Sequence, residues 1–134
     1  MDEKLQKMKE YFEGSGFAGG IGCRIEEVLP DYARCSLELT EYHLNSMGNV
    51  MGGVYFTLAD FAAAVAANQN TLGLVTLDAH ITFLGRAKGS RLIAEARCLK
   101  DGRTTDIYTV SVTDDLGNPV TVANMTMFDT TAVK

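Results

Sequence analysis

The sequence has no tryptophan and only two prolines among its 134 residues. Because it also lacks a Pro-rich, Ser-rich or low-complexity stretch, it offers no obvious linker between domains. No repeat period is present either. A chain of this length with 46% hydrophobic residues is long enough to bury one core. We therefore expect a single domain over residues 1–134.

Cysteines are also few. Cys23, Cys35 and Cys98 are odd in number and widely spaced, and they match no zinc or redox motif. Their apolar neighbours favour reduced packing residues in a cytosolic protein over disulfides. The first residues, Met1-Asp-Glu-Lys-Leu, lack the charged start and the long apolar core of a secretory signal. These features predict a cytoplasmic protein.

Net positive charge is lacking as well, since the formal charge is −5. This balance argues against a general nucleic-acid binder, which needs an electropositive face. Positive side chains are nevertheless concentrated locally at Arg86, Lys88 and Arg91, with Lys100 and Arg103 at the next turn. Such a group can hold a phosphorylated ligand through charge and the guanidinium fork. Alternatively, these residues are solvated loop ends.

The longest apolar run covers 54–67 and contains Thr57 and Asp60. It is too short for a membrane span, so we expect a buried core helix and no membrane segment. An acid inside such a helix is costly to bury without a task or a partner. Asp60 is therefore either a functional group or a core acid that a hydroxyl or backbone group satisfies.

Hydrophobic periodicity predicts one short helix and six strands around that apolar run. Residues 3–13 form an amphipathic helix, and 33–40 alternate in the manner of a half-buried strand that pairs with 21–28 across a turn at Pro30-Asp31. A strand over 75–83 has Val75, Leu77, Ala79, Ile81 and Phe83 as its apolar face and Thr76, Asp78, His80 and Thr82 as its polar face. Further strands are predicted over 91–99, 104–113 and 120–128, with turns between them.

This order of elements indicates an α+β fold. An antiparallel sheet wrapped around the long helix accounts for the sequence of helix, two strands, helix and four strands. The wrapping also explains why the helix is apolar nearly all round.

A glycine pair, Gly52-Gly53, comes just before the apolar run. Glycine lets the backbone approach a ligand closely, and the first N–H groups of a helix have no internal partners. These groups can bind an oxyanion or a carbonyl. By itself, the pair favours a simple turn, because paired glycines are common in loops.

Taken together, Asn45-x-x-Gly48-x-x-Met51-Gly52-Gly53 and Asp60 after six further residues resemble the signature of hotdog-fold acyl-CoA thioesterases of the PaaI-like (phenylacetate-pathway) family. Residues 78–88 also resemble the third strand of this family and its basic exit. The similarity covers about residues 22–128. The resemblance implies a hotdog fold and hydrolysis of an aryl- or medium-chain acyl-CoA to the free acid and coenzyme A. It implies no metal and no redox cofactor, with coenzyme A entering as part of the substrate.

The resemblance also implies a role for each residue of the motif. Asp60 would be the nucleophile or the general base for a water, and Gly52 would donate its N–H to the oxyanion. Asn45 would hold the water or the thioester carbonyl, and Thr76 would contact that water or the acid. The family builds each site across the interface of a dimer, which also occurs within tetramers. We therefore expect Asp60 and Thr76 of one subunit to face Asn45 and Gly52 of the other.

One position departs from the family pattern, which has histidine where this chain has Met51. Methionine neither donates nor accepts a proton in catalysis. We place Met51 and Gly53 beside the substrate, with Arg86 and Lys88 toward coenzyme A. The departure keeps a second hypothesis open, namely a weak or inactive hotdog module that binds an acyl-CoA or an aromatic ligand. A third hypothesis is a structural homo-oligomer in which Asp60 is only packed.

The two histidines fit neither a metal site nor a dehydratase. His43 and His80 lack ligand spacing such as a pair one helical turn apart. Hotdog dehydratases place their histidine in a Pro-rich turn, which residues 43–46 do not reproduce. Aromatic residues that are candidates for the acyl pocket, or otherwise for the core, are Tyr55, Phe56, Phe61 and Phe83.

Overall fold

The computed structural model describes residues 2–132, which form three α-helices and six β-strands. The helices are α1 (Glu3–Phe12), α2 (Gly16–Ile21) and α3 (Gly52–Ala67). The strands are β1 (Arg24–Leu29), β2 (Tyr32–Glu38), β3 (Leu74–Phe83), β4 (Arg91–Asp101), β5 (Thr105–Asp114) and β6 (Pro119–Asp129). Short 3-10 turns cover Glu41–His43 and Thr130–Ala132. Across the described range, none of the helices is both long and apolar enough to cross a membrane.

The strands form one antiparallel sheet in the order β1-β2-β4-β5-β6-β3. All six strands contact α3, which lies across the concave face. Residues such as Leu92, Ala94 and Ala96 alternate inward along β4 and are fully buried. On the helix, small buried residues such as Ala59 and Ala62 let the sheet approach closely. The predicted α+β arrangement of a sheet around a central helix is confirmed.

The sheet covers α3 incompletely. A stripe at helical spacing is only partly buried or is exposed, and it consists of Gly53, Phe56, Thr57, Asp60, Ala64 and Ala67. These residues are three or four positions apart, so they lie along one face of the helix. Asp60 therefore lies on the face of α3 that its own sheet leaves open.

The two edges of the sheet differ in protection. On β1, a bulge falls between Ile25 and Glu27, α1 packs against the strand, and the Glu13 carboxylate accepts a hydrogen bond of 2.6 Å from the Ile25 N–H. On β3, nine of the ten residues pair with β6 on one side, and the described residues provide no strand on the other side. A long edge with free N–H and C=O groups is a template for pairing with another chain.

The prediction for the two faces of β3 was wrong around Thr76. The pairing with β6 shifts register between Thr76 and Asp78, so Leu77 is an extra residue in a β-bulge. The bulge leaves Val75 and Leu77 exposed while Thr76 is half-buried. Beyond it, Ala79 and Ile81 are the partly buried members of the strand, as predicted. A simple period of two cannot anticipate such an inserted residue.

The short helix α2 was not predicted. Its sequence, Gly-Phe-Ala-Gly-Gly-Ile, is poor in helix formers, and we expected a strand from Ile21 onward. The strand instead begins at Arg24, after Gly22 ends α2 with a positive φ of 105°. The glycine at position 19 is required by packing, because a Cβ there would lie 2.8 Å from the Gly14 backbone.

A buried asparagine connects the end of α3 to β3. The Asn68 amide nitrogen donates to the Ala64 and Leu74 carbonyls at 2.9 and 3.0 Å. Its oxygen accepts from the N–H groups of Gly73 and Leu74, both at 2.9 Å. One side chain thus bonds four backbone groups, one in the last turn of α3 and three at the start of β3.

We expect Asn68→Ala to lower the free energy of unfolding by about 2–4 kcal/mol, because buried backbone groups lose their partners. Urea denaturation at a fixed protein concentration measures this loss. The control, Asn124→Ala, lies at an exposed position on β6 and should change stability by less than about 0.5 kcal/mol. Equal effects of the two substitutions would contradict the stabilising role that we assign to the Asn68 hydrogen bonds.

Asp114 holds the segment that follows β3. Its buried carboxylate accepts hydrogen bonds from the N–H groups of Lys88 and Gly89 at 2.7 and 3.0 Å, and from Asn118. Burial by itself would raise the pKa of this carboxyl, but hydrogen bonds from Asn118, Lys88 and Gly89 outweigh that effect and hold the pKa below its usual range. A carboxyl with a lowered pKa in the folded state stabilises the fold above its unfolded pKa, and this contribution is lost as the pH falls.

We therefore expect Asp114→Asn to be less stable than the wild type by about 1–3 kcal/mol at neutral pH. The difference should narrow below pH about 4, where the wild-type carboxyl begins to be protonated in the unfolded chain. Urea denaturation over a pH series measures both effects. The control is Glu10→Gln on an exposed part of α1. A difference that stays constant over the pH series would be inconsistent with the lowered pKa.

Candidate active site

Asp60 and Thr76 form the first half of the site. The Thr76 hydroxyl donates a hydrogen bond of 2.6 Å to Asp60 Oδ1. The β3 bulge at Leu77 turns Thr76 toward α3, and this makes the contact possible. Both side chains are half-buried, and within residues 2–132 Asp60 Oδ2 has no hydrogen-bond donor. The pair leaves one carboxylate oxygen available to a water or an electrophile.

The first turn of α3 forms the second half. Met51 is the N-cap residue and provides no side-chain cap, and in the described chain the N–H groups of Gly52 and Gly53 have no acceptor. The Phe83 ring covers Gly52, where a Cβ would lie 3.3 Å from two ring atoms. Open space surrounds Gly53. Free N–H groups at the positive end of a sixteen-residue helix suit an oxyanion.

Asn45 organises the loop that precedes α3. Its Oδ1 accepts hydrogen bonds from the N–H groups of Met47 and Asn49 at 2.9 and 3.1 Å. The loop closes where the Met51 N–H donates to the His43 carbonyl at 2.9 Å. The oxygen of Asn45 is thus occupied within the loop, and its amide nitrogen is the group left for a ligand.

The two halves lie apart within one chain. Gly52 and Asp60 are eight residues apart on α3. At about 1.5 Å of rise per residue, their backbones are about 12 Å apart along the helix axis. A single carbonyl carbon cannot lie about 3 Å from both groups, as acyl transfer requires.

The basic residues divide into two groups. Arg86 Nη1 donates to Asn49 Oδ1 at 2.8 Å, which places Arg86 beside the Asn45 loop. Lys88 follows with an exposed side chain, and its backbone is held by Asp114. Lys100 lies at the far end of β4, about 30 Å from Arg91 at the usual rise of a strand. The basic residues therefore do not form a single cluster. Arg86 lies beside the loop that contains Asn45, whereas Lys100 lies far from it.

His43 has a structural task. Its buried ring accepts a hydrogen bond from the Thr40 N–H at Nδ1, so Nε2 carries the proton and donates to the Ile21 carbonyl at 2.7 Å. His80 is exposed on β3. In the part of the chain that the structure describes, no group of three or more His, Cys, Asp or Glu side chains is arranged to hold a metal ion.

Two contacts were missed by the sequence analysis. The hydroxyl of the buried Tyr55 accepts a hydrogen bond of 3.0 Å from the Ala87 N–H. This bond fixes the segment that carries Arg86 and Lys88. The role of His43 in fixing α2 was missed as well. The signal for Tyr55 was a polar hydroxyl within an apolar helix. Phe61 belongs to the core, and Phe83 is 53% exposed beside Gly52.

The chain matches the Thioesterase superfamily over residues 47–121, more than half of its length. It is 31% identical to mouse acyl-coenzyme A thioesterase 13 over 119 residues, which cover 85% of each chain. The family match over residues 47–121 includes Gly52, Gly53, Asp60 and Thr76. The prediction of a thioester hydrolase is confirmed by this membership.

Solved structures agree with the fold. The PaaI protein of Escherichia coli superposes with a TM-score of 0.87 at 24% identity, covering 94% of this chain and 92% of that one. A Streptococcus mutans protein solved with acetyl-CoA gives a TM-score of 0.76 at 31% identity, covering 81% of this chain and 89% of that one. The predicted hotdog fold is thereby confirmed. The chain belongs to the thioesterase superfamily and is a PaaI-like hotdog protein.

Proposed function

We propose that this protein hydrolyses aryl- or medium-chain acyl-CoA thioesters to the free acid and coenzyme A. Membership in the thioesterase superfamily supports the reaction class. The mouse relative named as an acyl-coenzyme A thioesterase and the acetyl-CoA bound to the Streptococcus mutans structure support coenzyme A as the carrier. The observation that carries the proposal is the Asp60 carboxylate, hydrogen-bonded to Thr76 on the open face of α3.

The Gly52 N–H is proposed to bind the carbonyl oxygen of the thioester. Negative charge develops on that oxygen when the carbonyl carbon is attacked. An N–H group fixed at a helix start stabilises this charge without reorganisation, and the helix dipole adds to the effect. The amide nitrogen of Asn45 is positioned in the same loop to hold the carbonyl or the water. The Phe83 ring packs beside Gly52.

Asp60 is proposed to attack the carbonyl carbon directly or to take a proton from an attacking water. In either case the C–S bond breaks and the electron pair leaves on sulfur. After direct attack the acyl group stays on Asp60 as a mixed anhydride, which a water then hydrolyses to the free acid, whereas an attacking water gives the free acid directly. A simple thiol has a pKa of about 8.5, so the thiolate is a competent leaving group. The Thr76 hydroxyl, bonded to Oδ1, orients the carboxylate so that Oδ2 faces the substrate. Thr76 is thus a positioning residue for Asp60.

Each site is proposed to form between two subunits, as a dimer or as a pair within a tetramer. The axial separation of about 12 Å between Gly52 and Asp60 supports this arrangement, because a second copy can bring its Asp60 to Gly52. Within residues 2–132, β3 has no partner strand on its outer edge and the stripe on α3 is uncovered, so both surfaces can contact a second copy. In an isologous dimer, both sites form at once.

Arg86 and Lys88 are proposed to hold the phosphates of coenzyme A. Arg86 lies beside the Asn45 loop through its bond to Asn49, so it is near the carbonyl end of the substrate. In a chain of net charge −5, this local positive charge is suited to a polyanionic ligand. We also propose a cytoplasmic location, which the reduced state of Cys23, Cys35 and Cys98 favours.

We expect Asp60→Asn to lower kcat for thiol release by about 10²–10⁴-fold, because the base or nucleophile is lost.

Gly52→Pro should lower kcat by about 10²–10³-fold, because it removes one N–H donor to the oxyanion. Proline is tolerated at the first helical position, and the extended Met51 backbone (φ −66°, ψ 137°) is compatible with it. The Cβ of this proline would lie 3.3 Å from the Phe83 ring, so this exposed ring has to move by a few tenths of an ångström. Thr76→Val should cost about 10–100-fold in kcat, with activity retained in Thr76→Ser.

The measurement is release of free thiol from a panel of aryl- and alkyl-CoA thioesters, with circular dichroism to verify folding. Glu10→Gln serves as the control and should retain wild-type turnover. A folded Asp60→Asn enzyme with unchanged kcat would contradict the proposal. If the wild type binds acyl-CoA without turnover on any member of the panel, the binding module, with Met51 in place of histidine, becomes the better account.

A further inference from the structure

Two clefts lie side by side and share wall residues, and one of them opens beside the start of α3. The first, which we name the acyl cleft, has a volume of about 270 Å³ and is lined by Phe17, Ile21, Tyr42, His43, Met51, Gly53, Val54 and Thr57. The second, which we name the outer cleft, has a volume of about 580 Å³ and lies between the α1–α2 turn, the start of β1 and the 3-10 turn at Glu41–His43. Ile21, Tyr42 and His43 line both clefts. These three residues form the partition between them.

The acyl cleft adjoins the catalytic groups. Met51, Gly53 and Thr57 belong to the cap and first turns of α3, next to the free N–H of Gly52. An acyl group whose carbonyl is held by Gly52 would therefore have this cleft beside it. A cavity of about 150 Å³ holds benzene. The acyl cleft is thus large enough for one aromatic ring or a short chain, and its aromatic and thioether side chains suit an apolar group.

Part of the partition is rigid. His43 and Ile21 are 4% and 8% exposed, and the hydrogen bond of 2.7 Å from His43 Nε2 to the Ile21 carbonyl ties the 3-10 turn to α2. The Thr40 N–H fixes the other side of the His43 ring at 3.0 Å. This part of the wall cannot move without breaking buried hydrogen bonds.

Tyr42 is the exposed part of the partition. Its side chain is 77% exposed, and its ring meets the His43 ring edge-on with centroids 5.9 Å apart. The backbone of Tyr42 is held in place, because its N–H donates to Thr40 Oγ1 at 3.2 Å. A large ring on a fixed backbone, between a small cleft and a larger one, has the geometry of a gate.

We propose that the Tyr42 side chain limits the length of the acyl group. With the ring in place, the acyl cleft ends at the partition and favours aryl groups and the shorter medium chains. Without the ring, a linear chain passes the Ile21–His43 wall and continues into the outer cleft. The proposal rests on the proposed function, since it takes the ligand to be an acyl-CoA.

The test is binding of thioether analogues, S-benzyl-CoA, S-hexyl-CoA and S-dodecyl-CoA, measured by isothermal titration calorimetry. Thioethers have no carbonyl to hydrolyse, so binding reports the gate whether or not turnover occurs. In Tyr42→Ala, the ratio of Kd for the hexyl to Kd for the dodecyl analogue should rise about tenfold. This factor corresponds to burial of about two more methylenes. Tyr42→Phe should keep the wild-type ratio, because the ring remains.

Two further variants separate a gate from a general loss of apolar surface. Phe17→Ala lies in the acyl cleft but outside the partition, so it should weaken all three analogues about equally. Tyr11→Ala removes a ring that is 56% exposed on α1 and should change nothing. The proposal for Tyr42 would be overturned if the ratio of the hexyl Kd to the dodecyl Kd stayed unchanged in folded Tyr42→Ala. It would also be overturned if that ratio rose equally in Phe17→Ala. Thiol release from the matching thioesters tests the hydrolase proposal separately.

Discussion

The rise of the α-helix is the constraint on which the other features of this protein depend. The free N–H at Gly52 and the carboxylate of Asp60 lie eight residues apart on one rigid helix, about 12 Å along its axis. A buried helix packed by six strands cannot bend to bring them together. Chemistry that needs both groups at one carbonyl therefore needs a second copy of the helix, on the mechanism that we propose. The open stripe of α3, which contains Asp60, is then the surface through which the two copies meet.

Strand β3 contributes to this arrangement in three ways. Its bulge at Leu77 turns Thr76 toward Asp60, its last residue Phe83 packs on Gly52, and its free edge is available for pairing. A single strand thus supports both halves of the site. The segment after β3 carries Arg86 back past the Asn45 loop, and buried anchors at Tyr55 and Asp114 fix its backbone. The proposed contacts to coenzyme A and the proposed acyl cleft consequently lie at the same end of α3.

Much of this architecture was predictable from sequence because it depends on local periodicity. The alternation in the strands, the turn residues and the apolar run gave the order of elements, and the spacing of the motif led to Asp60 and Gly52. Features that depend on insertion or on tertiary packing were not predictable in the same way. The Leu77 bulge reverses the direction that simple alternation predicts for Thr76. Helix α2 forms from a glycine-rich segment of low helix propensity, and a hydrogen bond from His43 anchors its end. Lys100 seemed close to Lys88 along the chain but lies at the other end of β4.

The most direct test of the shared site is complementation between two inactive subunits. Asp60→Asn and Gly52→Pro chains carrying different affinity tags are coexpressed, and the mixed dimer is isolated through both tags. If each site takes Asp60 from one subunit and Gly52 from the other, the mixed dimer contains one intact site and recovers about half of the wild-type rate of thiol release. If both groups act within one chain, every site in the mixed dimer carries a defect. A mixed dimer no more active than its parents would contradict the account.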